Sequence, residues 1–211
     1  MHSRQDVLSE EERVRATRMR PGTPRDEFIA GRAALRQLTG FWTGTTPAEV
    51  ALFVGPYGKP ACNGLEFNIS HSGGLLLIAA SRSIPVGVDV ERPHPATEML
   101  EIAPEVFTLR ELSLLHSEST DQGRRSVFGR CWSRKEATVK AHGRGLTLPL
   151  TEIEVLSSVT ETTRTVLLDD GTSPAQLYTT CDLELGDGFF AALSVKGRMP
   201  QVTQYIFQEA A

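Results

Sequence analysis

The stretch Val86-Gly87-Val88-Asp89-Val90-Glu91 predicts a β-strand near the middle of the 211-residue chain. Side chains alternate between the two faces of a strand, so the three valines face a core, and Asp89 and Glu91 lie side by side on the other face. Two adjacent carboxylates repel each other unless solvent or a cation screens them. Oxygen ligands of this kind, completed by phosphate oxygens, suit Mg²⁺ better than softer metals. A solvated acidic strand edge is the commoner explanation of an Asp-x-Glu pair taken alone.

Helices and strands alternate in two sections around this strand. The spacing of apolar residues predicts two helices and then short strands before it, and a helical section followed by strands after it. This segregation favours an α+β fold made of two similar halves, each a small antiparallel sheet packed with helices. We place the halves at residues 1–85 and 86–211. The predicted helices span 9–20, 25–39, short segments of 97–118, and 124–142, and the predicted strands span 50–54, 65–70, 75–81, 86–91 and parts of 151–195.

The composition excludes several classes of protein. The net charge of −4 weighs against a general nucleic-acid-binding protein. No apolar run reaches 18 residues, so we predict no membrane span, and the polar start MHSRQDVLSE does not resemble a secretory signal. Three cysteines without CxxC spacing indicate reduced thiols, and we therefore predict a cytoplasmic protein.

The charges are distributed unevenly along the chain. Residues 122–146 contain seven Lys or Arg and one Glu, whereas residues 150–196 contain two Lys or Arg and eight Asp or Glu. A basic cluster in one short segment is a candidate anion site. A solvated helix face explains such a charge run equally simply.

Two further segments carry groups that suit a metal–pyrophosphate site. On the helix Trp132–Lys140, Glu136 and Lys140 are four residues apart and share a face, which a surface ion pair would also explain. Beside the acidic strand, this carboxylate could hold a metal or accept a proton, and the lysine could neutralise a phosphate. In Phe67–Gly74, small residues and glycines after a strand allow backbone N–H groups to approach an anion, to which His71 could donate. A loop histidine bonded to the backbone is the alternative.

The ordered set of motifs resembles the 4′-phosphopantetheinyl transferases, in particular the larger surfactin-type class. The motifs are a YGKP turn, FNxSHS, G-[IV]-D-[IV]-E, FxxxE, WxxKEAxxK and GxGL. Here they stand at Tyr57–Pro60, Phe67–Ser72, Gly87–Glu91, Phe107–Glu111, Trp132–Lys140 and Gly143–Leu146. Each motif is short, but the order is specific and covers most of residues 25–150.

The resemblance implies an activity and its site residues. Such enzymes move the 4′-phosphopantetheine arm of coenzyme A to a serine of a carrier protein and release adenosine 3′,5′-bisphosphate. Catalysis is expected from Glu136, as acceptor of the serine proton, and Lys140, as the pyrophosphate contact. The expected Mg²⁺ ligands are Asp89, Glu91 and Glu136. The expected coenzyme A contacts are Arg25, Lys59, Ser70, His71, Lys135 and Lys140, with Arg18 and Arg36 as further candidates for the 3′-phosphate.

The resemblance also implies an acyl, aryl or peptidyl carrier protein as partner and a monomeric enzyme. The basic stretch 124–144, together with Arg110, would be the landing surface for the acidic carrier protein. Two alternatives remain open at this point. One is a non-catalytic relative that only binds carrier proteins, and the other is a Mg²⁺-dependent hydrolase of the coenzyme A pyrophosphate.

Overall fold

The computed structural model describes residues 6–55, 58–93, 95–171, 174–186 and 188–206. Within these ranges it contains five α-helices and eight β-strands, which confirms the predicted α+β class. The helices are α1 (Glu10–Arg18), α2 (Thr23–Thr43), α3 (Ala96–Val106), α4 (Leu109–Ser117) and α5 (Asp121–His142). The strands are β1 (Phe53–Val54), β2 (Pro60–Ala61), β3 (Glu66–Ser72), β4 (Leu75–Ser81), β5 (Val86–Glu91), β6 (Thr163–Leu168), β7 (Gln176–Asp182) and β8 (Phe190–Lys196).

The strands form three antiparallel sheets of unequal size. Strands β1 and β2 form a short ribbon, β3 and β4 form a hairpin, and the largest sheet has the order β5-β8-β7-β6. The helix-then-strand order occurs twice, but a two-stranded hairpin stands in the first section where a four-stranded sheet stands in the second. We propose the boundary of the halves at residues 85 and 86, where the chain enters the larger sheet.

Helix α5 lies directly against strand β5. A Cβ atom at Gly87 would collide with the carbonyl oxygen of Ala137, so the strand and helix backbones touch there. At Gly129 the ring of Phe190 fills the place of a side chain. Both positions need glycine because any larger residue would push the helix off the sheet. The contact at Gly87 brings the last turns of α5 beside Asp89, two residues further along β5.

The ends of the helices follow from their sequences. In α1, the hydroxyl of Ser9 accepts a hydrogen bond from the backbone N–H of Glu12, and the Glu12 carboxylate accepts one from the backbone N–H of Ser9. This capping box satisfies two otherwise unpaired donors. Helix α5 ends at Gly143, which adopts the left-handed conformation (φ 92°) that favours glycine.

One expectation from the sequence needs adjustment. The strand predicted at 50–54 is reduced to Phe53–Val54, and the carbonyl oxygen of Val50 accepts a hydrogen bond from the buried guanidinium of Arg36 instead of a strand partner. Residues 198–206 carry no helix or strand. Across the described ranges, none of the helices combines the length and hydropathy needed to cross a membrane.

Candidate functional site

Asp89 is the centre of a buried polar cluster where β5, β3 and α5 meet. Its Oδ1 lies 2.5 Å from Lys140 Nζ and accepts a hydrogen bond of 2.9 Å from Ser70 Oγ. Its Oδ2 is buried and has no hydrogen-bond partner. A buried carboxylate oxygen without a partner is costly, so this atom is available to a cation or another donor.

Glu136 and Glu91 carry the second and third carboxylates of this region. Glu136 lies one turn before Lys140 on α5, with 3.9 Å between Oε2 and Nζ. Burial raises the pKa of Glu136, the charges of Asp89 and Glu91 raise it further, and Lys140 opposes them. Glu91 accepts a hydrogen bond of 3.2 Å from Trp132 Nε1, which fixes its carboxylate towards α5. The three acidic residues predicted as metal ligands therefore influence one another across the β5–α5 contact.

Side chains at alternate positions of β3 accept hydrogen bonds from the backbone N–H groups of β5 and of the residue that follows it, where a paired strand would use its own carbonyl oxygens. Asn68 Oδ1 accepts from the N–H of Val88, Ser70 Oγ accepts from the N–H of Val90, and Ser72 Oγ accepts from the N–H of Arg92. Strand β5 is an edge of its sheet, and these side chains cover that edge. The FNxSHS motif thus joins the hairpin of the first section to the site strand of the second. The sequence signal for this role is the period of two in the polar positions.

The placement of Ser70 does not fit the phosphate contact expected of it. The residue is 7 % exposed, and its hydroxyl donates to Asp89 and accepts from Val90 and from Lys140. One donor and two acceptor positions complete the capacity of a hydroxyl group. Ser70 instead links β3, β5 and α5 beneath the site.

Lys135 also lies elsewhere than expected. Its ammonium is fully buried and pairs with Glu111 at 2.8 Å, and its other hydrogen bonds go to the carbonyl oxygens of Leu150 and Ile153. An ammonium has three donors, and all three end on protein acceptors. We therefore correct the expectation that Lys135 contacts phosphate. Glu111 of the FxxxE motif and Lys135 of the WxxKEA motif form a buried ion pair, so each motif supplies the charge that neutralises the other in the core.

Lys59 joins the first section of the chain to both site elements. Its Nζ donates to Val86 O at 3.1 Å and to Lys140 O at 3.0 Å. Burial lowers the pKa of Lys59, and the charge of Glu66 opposes this effect. The neighbouring Tyr57 of the same motif lies outside the described residues.

Arg25 and His71 lie near the beginning of α2, on the side of the first section. His71 is exposed, and its Nδ1 is 3.7 Å from Glu27 Oε2. Arg25 stands two residues before Glu27, and its Nε is buried without a hydrogen-bond partner. Arg25 and the exposed imidazole of His71 retain hydrogen-bonding capacity for an anion. Arg36 does not, because its buried guanidinium pairs with Glu12 at 2.6 Å and binds backbone carbonyls.

Three of the seven Lys and Arg residues in the basic stretch 124–144 pair with the acidic stretch that follows it. Arg130 and Arg134 both pair with Asp182, and Arg144 pairs with Asp170. The sequence predicted an open landing surface here, but most of these cations face inward or sideways to acidic partners. Only the exposed positions, such as Arg125, keep that character.

The fit of a divalent cation rests on the carboxylate donors around Asp89. The structure, over its described ranges, holds no group of three His, Cys, Asp or Glu side chains already gathered as a metal site. The unpartnered Oδ2 of Asp89 and the raised pKa of Glu136 are nevertheless what a nearby cation would relieve. Oxygen donors of this type match Mg²⁺.

Comparisons with known proteins agree on one family. The sequence model of the 4′-phosphopantetheinyl transferase superfamily matches residues 85–192, which are about half of the chain. The chain is 35 % identical over 197 residues to the 4′-phosphopantetheinyl transferase HetI of Nostoc sp., covering 90 % of this chain and 79 % of that protein. It is 34 % identical over 152 residues to a 4′-phosphopantetheinyl transferase of Bacillus subtilis, covering 71 % and 66 %. It is 41 % identical over 102 residues to the transferase Sfp of Bacillus subtilis (strain 168), covering 47 % and 44 %.

Proposed function

Since the chain belongs to the 4′-phosphopantetheinyl transferase superfamily, we propose that it moves the 4′-phosphopantetheine arm of coenzyme A to a serine hydroxyl of a carrier protein. It is a transferase of this family. In the proposed reaction the serine oxygen bonds to the phosphorus that carries the pantetheine. The bond from that phosphorus to the bridging oxygen breaks, and adenosine 3′,5′-bisphosphate leaves. The serine proton passes to a base on the enzyme.

The observation that carries this proposal is the cluster of Asp89, Glu136 and Lys140 at the contact of β5 with α5. Phosphoryl transfer asks a protein mainly to position its reactants and to neutralise charge. Lys140 supplies a cation that reaches the site from the last turn of α5. Glu136 lies one turn before Lys140 on α5 and supplies the carboxylate that we propose as proton acceptor.

We assign Asp89, Glu91 and Glu136 as the residues that hold Mg²⁺. When bound, the ion supplies charge stabilisation to the pyrophosphate oxygens. Asp89 contributes the carboxylate that is held on one side by Ser70 and Lys140 and unpartnered on the other. Trp132 holds Glu91 in place through its indole N–H.

We assign Arg25 and His71 as coenzyme A contacts, because the buried Nε of Arg25 has no hydrogen-bond partner and the exposed His71 lies beside Glu27, two residues after Arg25 on α2. A pyrophosphate and a 3′-phosphate need several cations at separate positions. The backbone of the turn at Gly58 and Lys59 remains part of the proposed adenine side, whereas the Lys59 ammonium donates to Val86 O and Lys140 O.

The decisive experiment incubates an apo carrier protein with the enzyme, coenzyme A and Mg²⁺ and follows the mass of the carrier protein. A gain of one phosphopantetheine group per reactive serine is the expected result. Consumption of coenzyme A without a mass gain would mean hydrolysis, and no change in either would mean a binding module. Either outcome would overturn the proposed function.

We further propose a monomeric enzyme that acts in the cytoplasm. The three cysteines, all within the described part of the chain, are unpaired. The pseudo-repeated helix-then-strand order allows one chain to supply both sides of the site. Analytical ultracentrifugation of the purified enzyme tests the oligomeric state directly.

A further inference from the structure

The Lys59 side chain donates hydrogen bonds to the backbone of β5 and of α5, which is typical of a residue that positions other elements of a site. The backbone turn that presents it is closed by hydrogen bonds from Gly55 N to Lys59 O and from Gly58 N to Gly55 O. Its side chain then spans to the other section of the chain and donates to two carbonyl oxygens, those of Val86 and Lys140. Two of its three N–H donors are therefore committed to backbone.

The acceptor on α5 is one that the helix cannot satisfy by itself. The helix ends at His142, so the carbonyl of Lys140 belongs to the last turn, whose oxygens have no partner further along the helix. A cation there also interacts favourably with the negative end of the helix dipole. Lys59 thus caps the C-terminal end of α5 from outside the helix.

The capped residue is the one whose side chain faces Asp89. Lys140 Nζ lies 2.5 Å from Asp89 Oδ1 and 3.3 Å from Ser70 Oγ, and its own carbonyl is held by Lys59. The second acceptor, Val86 O, lies at the start of β5, three residues before Asp89. One ammonium therefore bonds to the backbone of Lys140 itself and to the backbone of β5 three residues before Asp89.

We propose that Lys59 is a positioning residue that sets the distance between the Lys140 ammonium and the Asp89 carboxylate by clamping the last turn of α5 to the start of β5. The effect of Lys59 on kcat rests on the proposed function, whereas the contact that it makes between α5 and β5 does not. Loss of the clamp lets the last turn of α5 fray, and the Lys140 ammonium loses its fixed approach to the reacting phosphate.

The kinetic test is a double-mutant cycle of Lys59→Met and Lys140→Met, with Lys196→Met as the matched control because Lys196 is exposed at the end of β8. We expect Lys59→Met to lower kcat about tenfold, the size of a coupling between contacting residues, and to leave KM for coenzyme A unchanged. In the Lys140→Met background, the same substitution should have little further effect. Lys59→Arg, which can still donate to both carbonyls, should restore most of kcat.

The opposite pattern would overturn the inference. A rise in KM for coenzyme A with unchanged kcat would make Lys59 a substrate contact, and additive losses in the cycle would mean that it acts independently of Lys140. Hydrogen exchange supplies a readout that needs no activity: the amides of residues 140–143 should exchange faster in Lys59→Met than in the wild type or in Lys196→Met. Unchanged exchange there contradicts the clamp. If the wild type does not modify a carrier protein, the proposed function fails, while the exchange experiment still decides the role of Lys59. Should Lys59→Met fail to fold, Lys59→Gln replaces it in both experiments.

Discussion

Asp89 has two carboxylate oxygens in opposite situations. Oδ1 is bonded to Lys140 and Ser70, whereas Oδ2 is buried without a partner. We expect Asp89→Asn to reduce kcat/KM for carrier-protein modification by about 10²–10³, the scale seen when one transition-state-stabilising group is removed. The amide keeps the shape of the side chain, so the thermal unfolding midpoint should change little. Glu184→Gln, at an exposed carboxylate, is the control and should retain wild-type kcat/KM. Near-normal turnover of Asp89→Asn at limiting Mg²⁺ would contradict the metal assignment.

His142 provides a prediction about pH at the same scale. Its side chain is 7 % exposed, and its Nε2 lies 3.4 Å from Asp170 Oδ2. Burial lowers the pKa of His142 below 6.5; Asp170 opposes this shift, and the charges of Arg144 and Lys196 add to it. The unfolded chain therefore takes up this proton first as the pH falls. His142 therefore lowers the free energy of unfolding as the pH falls from about 6.5 to the lower pKa of the folded protein. Below that pKa the contribution of His142 no longer changes.

The measurement for this pH effect is the urea midpoint between pH 8 and pH 5 in wild type and in His142→Gln. We expect a steeper fall on acidification in the wild type, because the glutamine variant has no proton to bind at this position. His116→Gln removes an exposed histidine from α4 and should follow the wild-type curve. Equal pH slopes in wild type and His142→Gln would show that burial of this imidazole does not couple to folding.

At the scale of elements, the sequence predicted most helices and strands closely. Strand β5 runs over Val86–Glu91 as expected, and α5 ends at His142 as expected but begins at Asp121, three residues before the predicted start. The contact between β3 and β5 was not predictable, because it uses side-chain acceptors rather than a backbone ladder. Hydrophobic periodicity predicts which face of a strand is buried, but it does not show which strand a polar side chain will cover. For the same reason Ser70 was expected to contact a phosphate, whereas its hydroxyl connects β3 to β5 and α5.

Asn68→Ala tests the importance of this strand contact. Removing the amide oxygen leaves the buried N–H of Val88 without an acceptor, which costs about 1–3 kcal/mol of unfolding free energy. Asn63→Ala, at an exposed position in the turn before β3, should change the unfolding free energy by no more than about 0.5 kcal/mol. Urea denaturation of both variants gives the comparison. Equal stability of the two variants would mean that β3 does not hold the edge of β5.

At the scale of the whole molecule, the two oppositely charged segments meet each other. Arg134 is fully buried, and its guanidinium bonds to Asp182 at 2.6 Å and to the carbonyl oxygens of Val155 and Glu161. Counting charges along the sequence showed two opposed blocks, but it could not show which residues pair in the fold, because Arg134 and Asp182 are 48 residues apart and Arg144 and Asp170 are 26 residues apart. The family motifs place the three carboxylates and Lys140 in one proposed site, and in the structure Lys140 Nζ lies 2.5 Å from Asp89 Oδ1 and 3.9 Å from Glu136 Oε2. Asp89 and Lys140 are 51 residues apart in sequence, so this grouping came from the resemblance and not from local spacing. The motifs did not predict the partners of Lys135, which come from α4 and the loop after α5.

Arg134→Met and Arg125→Met each remove one positive charge from α5. Comparing them distinguishes the contribution of a buried arginine to stability from that of an exposed one. We expect Arg134→Met to lose about 3 kcal/mol of unfolding free energy, because the carbonyl acceptors and part of the charge of Asp182 stay buried without a partner. Arg125 is exposed, and its replacement should change stability by no more than about 0.5 kcal/mol. Thermal or urea unfolding of the two variants measures the difference. Similar losses for both would mean that the charged pairs of α5 contribute no more than its surface.

Arg125 should affect encounter with the carrier protein instead. Long-range attraction between an exposed cation and an acidic partner is screened over roughly 8 Å at physiological ionic strength. We therefore expect Arg125→Met to lower kcat/KM for the carrier protein at low salt, with the difference from wild type shrinking as salt is added, and to leave KM for coenzyme A unchanged. Arg164→Met is the comparison, because Arg164 is already paired with Glu154 and Glu161 and should not alter the salt dependence. If the apparent affinity of the wild type for its carrier protein does not respond to ionic strength, charge steering has no part in docking.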